Sequence, residues 1–292
     1  MNRSEYRAFV AHWNPNDFQK ASQHKLLEKS VVSMAKLPAA RFTAFVHRLQ
    51  GRAAQGRALR SAEQLESLLR HCIGQRLCFK QAEGFGGFGF SSYVVALSGN
   101  QPVMVDQADK RELSAAQWWQ SHGADDQGYM VEEYLTQHPD VARINASSVN
   151  TVRMWVTNTD HMHEVVGAYL RLGRARSQVD NVSSGGLWCP LDIDSVRIVE
   201  LYDPRDSARV LPAHPDSNVV LEGYQLPHWS AAKKLALDAI AAFPHVGIVG
   251  LDVAFIPESP VIIELNVIPD YVGCARMELA LKDLDRRMRG QR

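Results

Sequence analysis

Two apolar runs, residues 250–255 and 261–268, each carry polar side chains on one face. Successive side chains of a β-strand point to opposite faces, so Asp252 lies opposite the apolar face of the first run, and Glu264 and Asn266 lie opposite that of the second. A carboxylate in so apolar a run is costly to bury without a cation. Three side chains with hard oxygen atoms on one sheet face indicate a Mg²⁺ site and therefore nucleotide-phosphate chemistry.

The segment between these runs, residues 256–260, predicts a turn between adjacent antiparallel strands. Residues directly opposite each other in such a pair point to the same face. A symmetric two- or four-residue turn would send Asp252 to the wrong face, so we expect an odd-length connection, with Phe255 or Pro257 paired with Val261, or a β-bulge. The alternative is a buried Asp252 paired with an arginine, beside a strand glutamate at the surface.

A second feature is the glycine-rich segment that contains Gly84, Gly86 and Gly89 in a G-x-G-x-x-G pattern. A dinucleotide fingerprint needs a helix next, whereas residues 91–97 predict a strand, so the glycines lie at the tip of a β-hairpin. Backbone N–H groups of such a loop can bind phosphates. The Walker A pattern is excluded, because no Gly-Lys-Ser/Thr closes the loop. The protein-kinase pattern is excluded, because Lys80 precedes the glycines and no His-Arg-Asp loop exists. A plain glycine-rich hairpin with an incidental lysine is the alternative.

Composition bounds the class of protein. The 292 residues are 46% hydrophobic, and 32 basic residues balance 32 acidic ones, which favours neither a nucleic acid nor an anionic membrane as partner. The four cysteines have no C-x-x-C spacing, and the N-terminus has no apolar signal core. We therefore expect buried, reduced thiols in a cytoplasmic protein that has no membrane-spanning segment.

The pattern of elements changes along the chain. The first ~75 residues predict helices, with a capping-box pattern at Ser61. Strands are predicted from Tyr129 to Arg171, an irregular stretch from 172 to 226, and then a helix capped by Ser230.

In their order, these motifs resemble the ATP-grasp superfamily. A lysine precedes a glycine-rich hairpin, a glutamate-rich hinge follows, two arginine-bearing strands come next, and the Asp and Glu-x-Asn runs come last. The resemblance is closest to the sugar-transfer-associated ATP-grasp proteins, which are related to glutamate-ligase-like enzymes, and it extends from about Lys29 to Asp270. The segments that carry it, besides those above, are residues 130–139, 148–154, 169–174 and 179–186.

The resemblance implies an α+β protein with the ATP-grasp fold, in which two α+β lobes hold the nucleotide between them. A short helical segment stands in place of the full domain that usually precedes the lobes, so the acceptor site is open, completed by a homodimer or another partner, or rebuilt from the irregular stretch. The expected divisions are an N-terminal helical segment, 1–75, a nucleotide-binding lobe with the glycine-rich hairpin, 76–135, and a C-terminal lobe with the Mg²⁺ site, 136–292.

The resemblance also implies roles for single residues. Arg153 and Arg171 would stabilise the transferred phosphoryl group, although a salt bridge to a carboxylate is the ordinary alternative for each. Asp252, Glu264 and Asn266 would hold one or two Mg²⁺ ions. Residues expected to bind ATP are Lys29, Lys80, Gly84, Gly86, Gly87, Glu132, Glu133, Leu135 and His138. Residues expected to contact the substrate are Asn181, Ser184 and Gly185.

Within these sets, Lys80 is expected at the α- and β-phosphates, and Glu132 at the adenine amino group. The implied activity is that of an ADP-forming carboxylate–amine ligase acting on small molecules, in glycan or natural-product biosynthesis. The alternatives are a kinase of a small-molecule hydroxyl on the same fold, and a non-catalytic nucleotide-binding partner.

Overall fold

The computed structural model describes residues 1–84, 86–206 and 209–291, and it leaves out the side chains of residues 275 and 276. Phe85, within the predicted glycine-rich loop, lies outside the described residues. The chain forms two compact units, which we call the larger unit, Met1–Ala39 with Thr136–Arg292, and the smaller unit, Ala40–Leu135. This division differs from the expected one, because residues 40–75 belong to the smaller unit.

The helices and strands are ordered along the chain as follows. The helices are α1 (Arg3–Trp13), α2 (Asn16–Gln23), α3 (Lys25–Met34), α4 (Ala62–Arg70), α5 (Ala115–His122), α6 (Pro139–Ala142), α7 (Trp229–Ala241), α8 (Tyr271–Arg276) and α9 (Leu281–Met288). The strands are β1 (Phe42–Val46), β2 (Arg52–Ala53), β3 (Arg76–Gln81), β4 (Phe90–Ser98), β5 (Gln101–Asp106), β6 (Glu112–Ser114), β7 (Tyr129–Glu133), β8 (Thr151–Thr159), β9 (Met162–Leu172), β10 (Leu187–Asp192), β11 (Arg197–Ile198), β12 (Leu201–Tyr202), β13 (Val210–Leu211), β14 (Ile248–Phe255) and β15 (Pro260–Asn266).

The smaller unit contains an antiparallel sheet in the order β2-β1-β7-β3-β4-β5-β6. Helices α4 and α5 bury apolar side chains, among them Leu65 and Trp118, against sheet residues such as Phe79 of β3. The predicted helix start at Ser61 is confirmed, since its hydroxyl accepts a hydrogen bond from the Gln64 N–H. The expectation that the first 75 residues are all helical is wrong, because β1 and β2 form one edge of this sheet.

The larger unit contains a second antiparallel sheet in the order β13-β12-β10-β9-β8-β14-β15, with β11 paired to β10. Helix α7 packs its apolar face on this sheet. It begins after His228, whose backbone is left-handed with φ 51°, so the predicted cap at Ser230 is wrong. The stretch from 172 to 226 is also more regular than expected, because β10 extends the sheet beside β9.

A bulge in the β14–β15 hairpin decides which side chains share a face. Phe255 pairs with Pro260, not with Val261, and four residues form the turn. That register alone would place Asp252 opposite the wrong residue, but a register shift between Asp252 and Val253 brings Asp252 opposite Glu264. The predicted bulge and the shared face are therefore observed, while the predicted Phe255–Val261 pair is not.

The N-terminal helices and the segment after them cover the free edge of β15. The backbone N–H of Ile262 donates to the Pro38 carbonyl at 2.8 Å, and the Ser22 hydroxyl donates to the Leu265 carbonyl. Asn14, fully buried, donates to the carbonyls of Val267 and Ile248 at 2.6 Å. Unpaired backbone groups at a sheet edge invite pairing with another chain, so this cover satisfies groups that the sheet leaves open.

We expect Asn14→Ala to lower the free energy of unfolding by at least about 2 kcal/mol, because it removes the partners of several buried backbone groups. The Asn14 Oδ1 also accepts the N–H groups of Gly247 and Ile248 at 2.9 and 3.1 Å. Urea unfolding followed by tryptophan fluorescence measures the loss. The control is Asn16→Ala, two residues away and exposed. Equal losses in the two variants would contradict the edge-covering role of Asn14.

Candidate functional site

The centre of the larger sheet holds a buried carboxylate between two arginines. Asp252 of β14 lies opposite Arg153 of β8 in the strand register. Arg153 donates from Nε to Oδ1 and from Nη2 to Oδ2 of Asp252, the latter at 2.9 Å, and Arg171 of β9 donates from Nη1 to the same Oδ2 at 2.8 Å. A Cβ at Gly250 would lie 2.8 Å from Arg153 Cδ, so the glycine makes room for the arginine. This is the ion-paired alternative predicted for Asp252 and for both arginines.

The network continues from Arg171 to a second buried carboxylate. Arg171 Nη2 donates to Asp180 Oδ1 at 2.6 Å. The other oxygen of Asp180 accepts the backbone N–H of Thr151 at 3.0 Å and its hydroxyl at 2.6 Å. Two guanidinium groups and two carboxylates therefore form one buried cluster whose formal charges cancel.

The cluster affects its two carboxyl groups differently. Burial raises the pKa of Asp252, but the guanidinium groups of Arg153 and Arg171 outweigh burial and hold that pKa below its usual value. Burial raises the pKa of Asp180 above its usual value, and Arg171 opposes this only in part. Asp252 is thus held firmly in the charged form.

Glu264 and Asn266 lie half-buried on β15, beside Asp252. Asn266 donates from Nδ2 to the Gly250 carbonyl at 3.2 Å, which leaves its amide oxygen as the acceptor, and Glu264 Oε2 lies 3.9 Å from Lys25 Nζ. Among the described residues, no group of three or more His, Cys, Asp and Glu side chains is close enough to hold a metal ion.

The donor set nevertheless fits Mg²⁺, which prefers carboxylate and amide oxygens. Two carboxylates and one amide oxygen lie on the same face of adjacent strands. Asp252 accepts three hydrogen bonds from its arginines, two of them at Oδ2. Within the described part of the chain, one of the four acceptor positions of this carboxylate, on Oδ1, therefore remains for a cation.

The smaller sheet holds a buried ion pair of its own. Lys80 on β3 and Glu132 on β7 face the same side, and Lys80 Nζ lies 2.7 Å from Glu132 Oε2. The Glu132 side chain is only 2% exposed, and that of Lys80 is 14% exposed. Glu132, for which the resemblance implies a contact with adenine, is thus observed as the partner of the phosphate-binding candidate Lys80.

The glycine-rich loop is shaped by left-handed backbone. Gly86, Gly87 and Gly89 have φ values of 63°, 84° and 69°, which residues with a Cβ rarely adopt. A Cβ at Gly89 would also lie 2.6 Å from the Gln81 Cβ. The Gly84 N–H donates to the Gln81 carbonyl at 3.1 Å, so this group closes the turn and is already used inside the loop.

The residues of the predicted glutamate-rich hinge, 130–139, differ in the hydrogen bonds that their backbones already make. The Glu133 N–H donates to the Arg41 carbonyl at 3.0 Å. Within the described part of the chain, Leu135 makes no backbone hydrogen bond, so its N–H and carbonyl remain for an adenine edge. His138 is the N-cap of α6, where its ring accepts the Asp140 N–H at 3.2 Å. Lys29 lies half-buried on α3.

The predicted substrate-contact loop follows Asp180 directly. Residues Val182–Ser184 form a 3₁₀ turn that ends at Gly185, which is left-handed with φ 86°. Ser184 is exposed, and Asn181 and Gly185 are half-buried. A Cβ at Gly186 would lie 2.1 Å from the Asp180 carbonyl oxygen, so this end of the loop is tightly packed.

Sequence reasoning gave no role to Asp180 and Thr151, although both lie in segments that carry the resemblance, because their contact spans 29 positions. It also missed Glu28 on α3. Burial, followed by the charge of Glu264, raises the pKa of Glu28 well above its usual value. The one available signal was an acidic residue between leucine and lysine in a helix with an apolar stripe, which is too common to identify a site.

Comparisons with solved structures show the fold. A biotin carboxylase from Campylobacter jejuni in complex with β,γ-ATP aligns with a TM-score of 0.52 and 13% identity, over 100% of this chain and 52% of that one. A carboxyaminoimidazole ribonucleotide synthase from Aspergillus clavatus with ATP has a TM-score of 0.49 and 14% identity, over 87% and 47%. A D-alanine–D-alanine ligase from Bacillus anthracis has values of 0.47 and 10%, over 91% and 67%. The chain therefore spans about half the length of the first two.

The two antiparallel sheets are those of an ATP-grasp fold, as the resemblance implied. The profile of the family described as sugar-transfer associated ATP-grasp matches residues 4–281. The chain belongs to this family. No curated protein matches it. In the described residues, no helix is long and apolar enough to cross a membrane.

A buried histidine near the end of β9 leads to a prediction about pH. His214 is fully buried, its Nε2 lies 3.0 Å from the Gly173 carbonyl, and burial lowers its pKa. Because a carbonyl only accepts, Nε2 carries the proton, and Nδ1 accepts the Asp216 N–H at 3.4 Å. The unfolded chain therefore binds the proton more readily than the folded protein, and stability falls as the pH falls below the ordinary histidine pKa of about 6.5.

We expect the urea midpoint of the wild type to decrease between pH 7.5 and pH 5.5, and His214→Gln to reduce this dependence. Glutamine preserves a donor for the Gly173 carbonyl but has no proton to gain in this range. Exposed His163 provides the control variant, His163→Gln, in which the wild-type dependence should persist. An unchanged pH dependence in His214→Gln would show that His214 is not its source.

Proposed function

We propose that this protein is an ATP-dependent ligase that activates a substrate carboxylate as an acyl phosphate for attack by an amine. The observation that carries the proposal is the larger sheet of an ATP-grasp family member, where Asp252, Glu264 and Asn266 share a face beside two arginines. Such a set combines cation-binding oxygens with positive charge, which is what the transfer of a phosphoryl group requires.

The smaller unit supplies nucleotide contacts in this proposal. Lys80, oriented by Glu132, binds phosphate oxygens, and backbone N–H groups near Gly86 and Gly87 assist it. The unpaired backbone groups of Leu135 receive the adenine edge. Because the Glu132 carboxylate already partners Lys80, we assign it the orientation of that lysine in addition to the adenine contact expected from the sequence.

The larger unit acts on the reacting groups. Asp252, Glu264 and Asn266 would hold one or two Mg²⁺ ions, which when bound neutralise charge on the β- and γ-phosphates. Arg153 and Arg171 stabilise negative charge on the transferred group; the guanidinium group of Arg171 is already fixed by two carboxylates and needs little reorganisation. The substrate carboxylate then attacks the γ-phosphate, and ADP leaves.

The second step needs an amine and a site for it. The amine displaces phosphate from the acyl phosphate, with Asn181, Ser184 and Gly185 as the residues we assign to substrate contact. The protein needs no covalent nucleophile, because positioning and charge stabilisation carry both steps. The family description favours a sugar-linked or related biosynthetic substrate.

Hydroxylamine tests the reaction type before the amine is known, because it intercepts acyl phosphates as hydroxamates. The purified protein is incubated with Mg²⁺, ATP, hydroxylamine and a panel of carboxylates, and hydroxamate, ADP and phosphate are measured. We expect at least one carboxylate to give hydroxamate together with equal amounts of ADP and phosphate. A phosphorylated hydroxyl product without free phosphate would instead establish a kinase.

We expect Glu264→Ala to lower the rate of that reaction by at least about two orders of magnitude, the scale seen when one preorganised electrostatic contact is lost. Glu264 is half-buried on β15, and among the described residues its side chain binds no backbone group that it would leave unpaired, so circular dichroism should show an intact fold. Glu258→Ala, in the exposed turn before β15, is the matched control and should retain full activity. Full activity in Glu264→Ala would refute its assignment to the metal site.

A further inference from the structure

Arg171 binds two carboxylates, of which only one belongs to the proposed cation site. Its Nη1 donates to Asp252 and its Nη2 to Asp180, at 2.8 and 2.6 Å. Asp252 belongs to the proposed cation site, whereas Asp180 lies on the far side of the guanidinium group and shares no strand pair with Glu264 or Asn266. One partner of Arg171 is therefore exposed to competition from a cation, and the other is not.

Asp180 is itself fixed from several directions. Both donors of Thr151, its N–H and its hydroxyl, bind Asp180 Oδ2. Thr151 is the register partner of Arg171 in the β8–β9 pair, so the carboxylate is tied to the strand next to the arginine that it binds. Gly186 packs directly on the Asp180 backbone. This carboxylate cannot move away without breaking its hydrogen bonds to Arg171 and to both donors of Thr151.

Arg153 has no second hydrogen-bonded carboxylate among the described residues. In the described part of the chain, its side chain hydrogen-bonds to Asp252 alone. When a divalent metal ion draws charge from Asp252, the hydrogen bonds of Asp252 to both arginines weaken. A buried guanidinium group that is left without a partner is strongly disfavoured. Arg171 keeps Asp180 in that state, whereas Arg153 is released to bind the phosphoryl group.

We propose that Asp180 is a positioning residue that holds Arg171 in place when the Asp252 carboxylate is engaged by a divalent cation. This inference rests on the proposed function, because it takes Asp252 as a cation ligand. It assigns different tasks to the two arginines: Arg171 stays fixed by Asp180, and Arg153 exchanges its carboxylate for substrate. Asp180 touches no reacting atom and acts through Arg171.

The test measures Mg²⁺ binding without turnover. Calorimetry gives the affinity of the protein for Mg²⁺ in the presence of β,γ-methylene-ATP. We expect Asp180→Asn to weaken Mg²⁺ binding about tenfold, the usual scale when a residue that supports a metal ligand is changed. In an Arg171→Met background, the same Asp180→Asn change should alter the affinity less than about twofold, since the side chain it positions is gone.

Two comparisons separate positioning from general structural support. Asp216→Asn removes the carboxylate partner of Arg174, a pair at 2.8 and 3.0 Å with no contact to Asp252, and it should leave Mg²⁺ binding unchanged. Thr151→Val removes one bond to Asp180 and should weaken Mg²⁺ binding in the same direction as Asp180→Asn, but less. An Asp180→Asn effect of equal size with and without Arg171 would overturn the proposal.

The wild type alone gives a further readout that needs no variant to fold. Side-chain ¹⁵N spectra of arginine show slow rotation of a guanidinium group whose two terminal nitrogens are both held. Adding Mg²⁺ and β,γ-methylene-ATP should leave the Arg171 signals resolved and change those of Arg153; the reverse would overturn the proposal. If the wild type bound no Mg²⁺ with this analogue, the proposed function would fail as well, whereas normal binding with an unchanged Asp180→Asn affinity would remove Asp180 alone.

Discussion

The charge of Asp252 in the middle of an apolar sheet is the constraint on which the larger unit depends. A buried carboxylate is tolerated only with cations beside it. Strand β8 contributes Arg153 directly opposite Asp252, and β9 contributes Arg171 from the position opposite Thr151. The glycine at 250 admits the Arg153 side chain, and the bulge in β14–β15 brings Glu264 to the same face. Strand order, register and local sequence thus together determine which groups surround the Asp252 carboxylate.

Both sheets contain a cationic side chain that is held in place by a buried acidic residue. In each, a cation assigned to phosphate is fixed by a buried acid: Lys80 by Glu132 of the adjacent strand in the smaller sheet, and Arg171 by Asp252 of β14 and by Asp180 of the loop after β9 in the larger one. Burying such pairs adds little to stability, because desolvation offsets most of the attraction. What it provides is orientation, since a charge already held in place needs little reorganisation when a phosphoryl group arrives.

Local sequence patterns were sufficient to predict much of the secondary structure of this protein. Alternation predicted β14 and β15, the glycine cluster predicted the hairpin between β3 and β4, and the need for a shared face predicted the bulge. Strands β1 and β2 were missed because they are short and lie in a segment rich in helix-forming residues. The pairing of Asp180 with Arg171 and Thr151 could not be foreseen, because it depends on which strands are neighbours and where a loop returns.

The cover that α1, α2 and the segment after α3 provide for β15 joins elements that are more than 200 residues apart in the sequence. Residues 1–39 complete a unit whose other part begins at residue 136, and the whole smaller unit is encoded between them. During synthesis the smaller unit emerges complete, while the N-terminal helices must wait for the last strand of their own sheet. Folding of the larger unit therefore has to close a very long loop, and the apolar faces of its earlier elements stay uncovered until β15 has joined them.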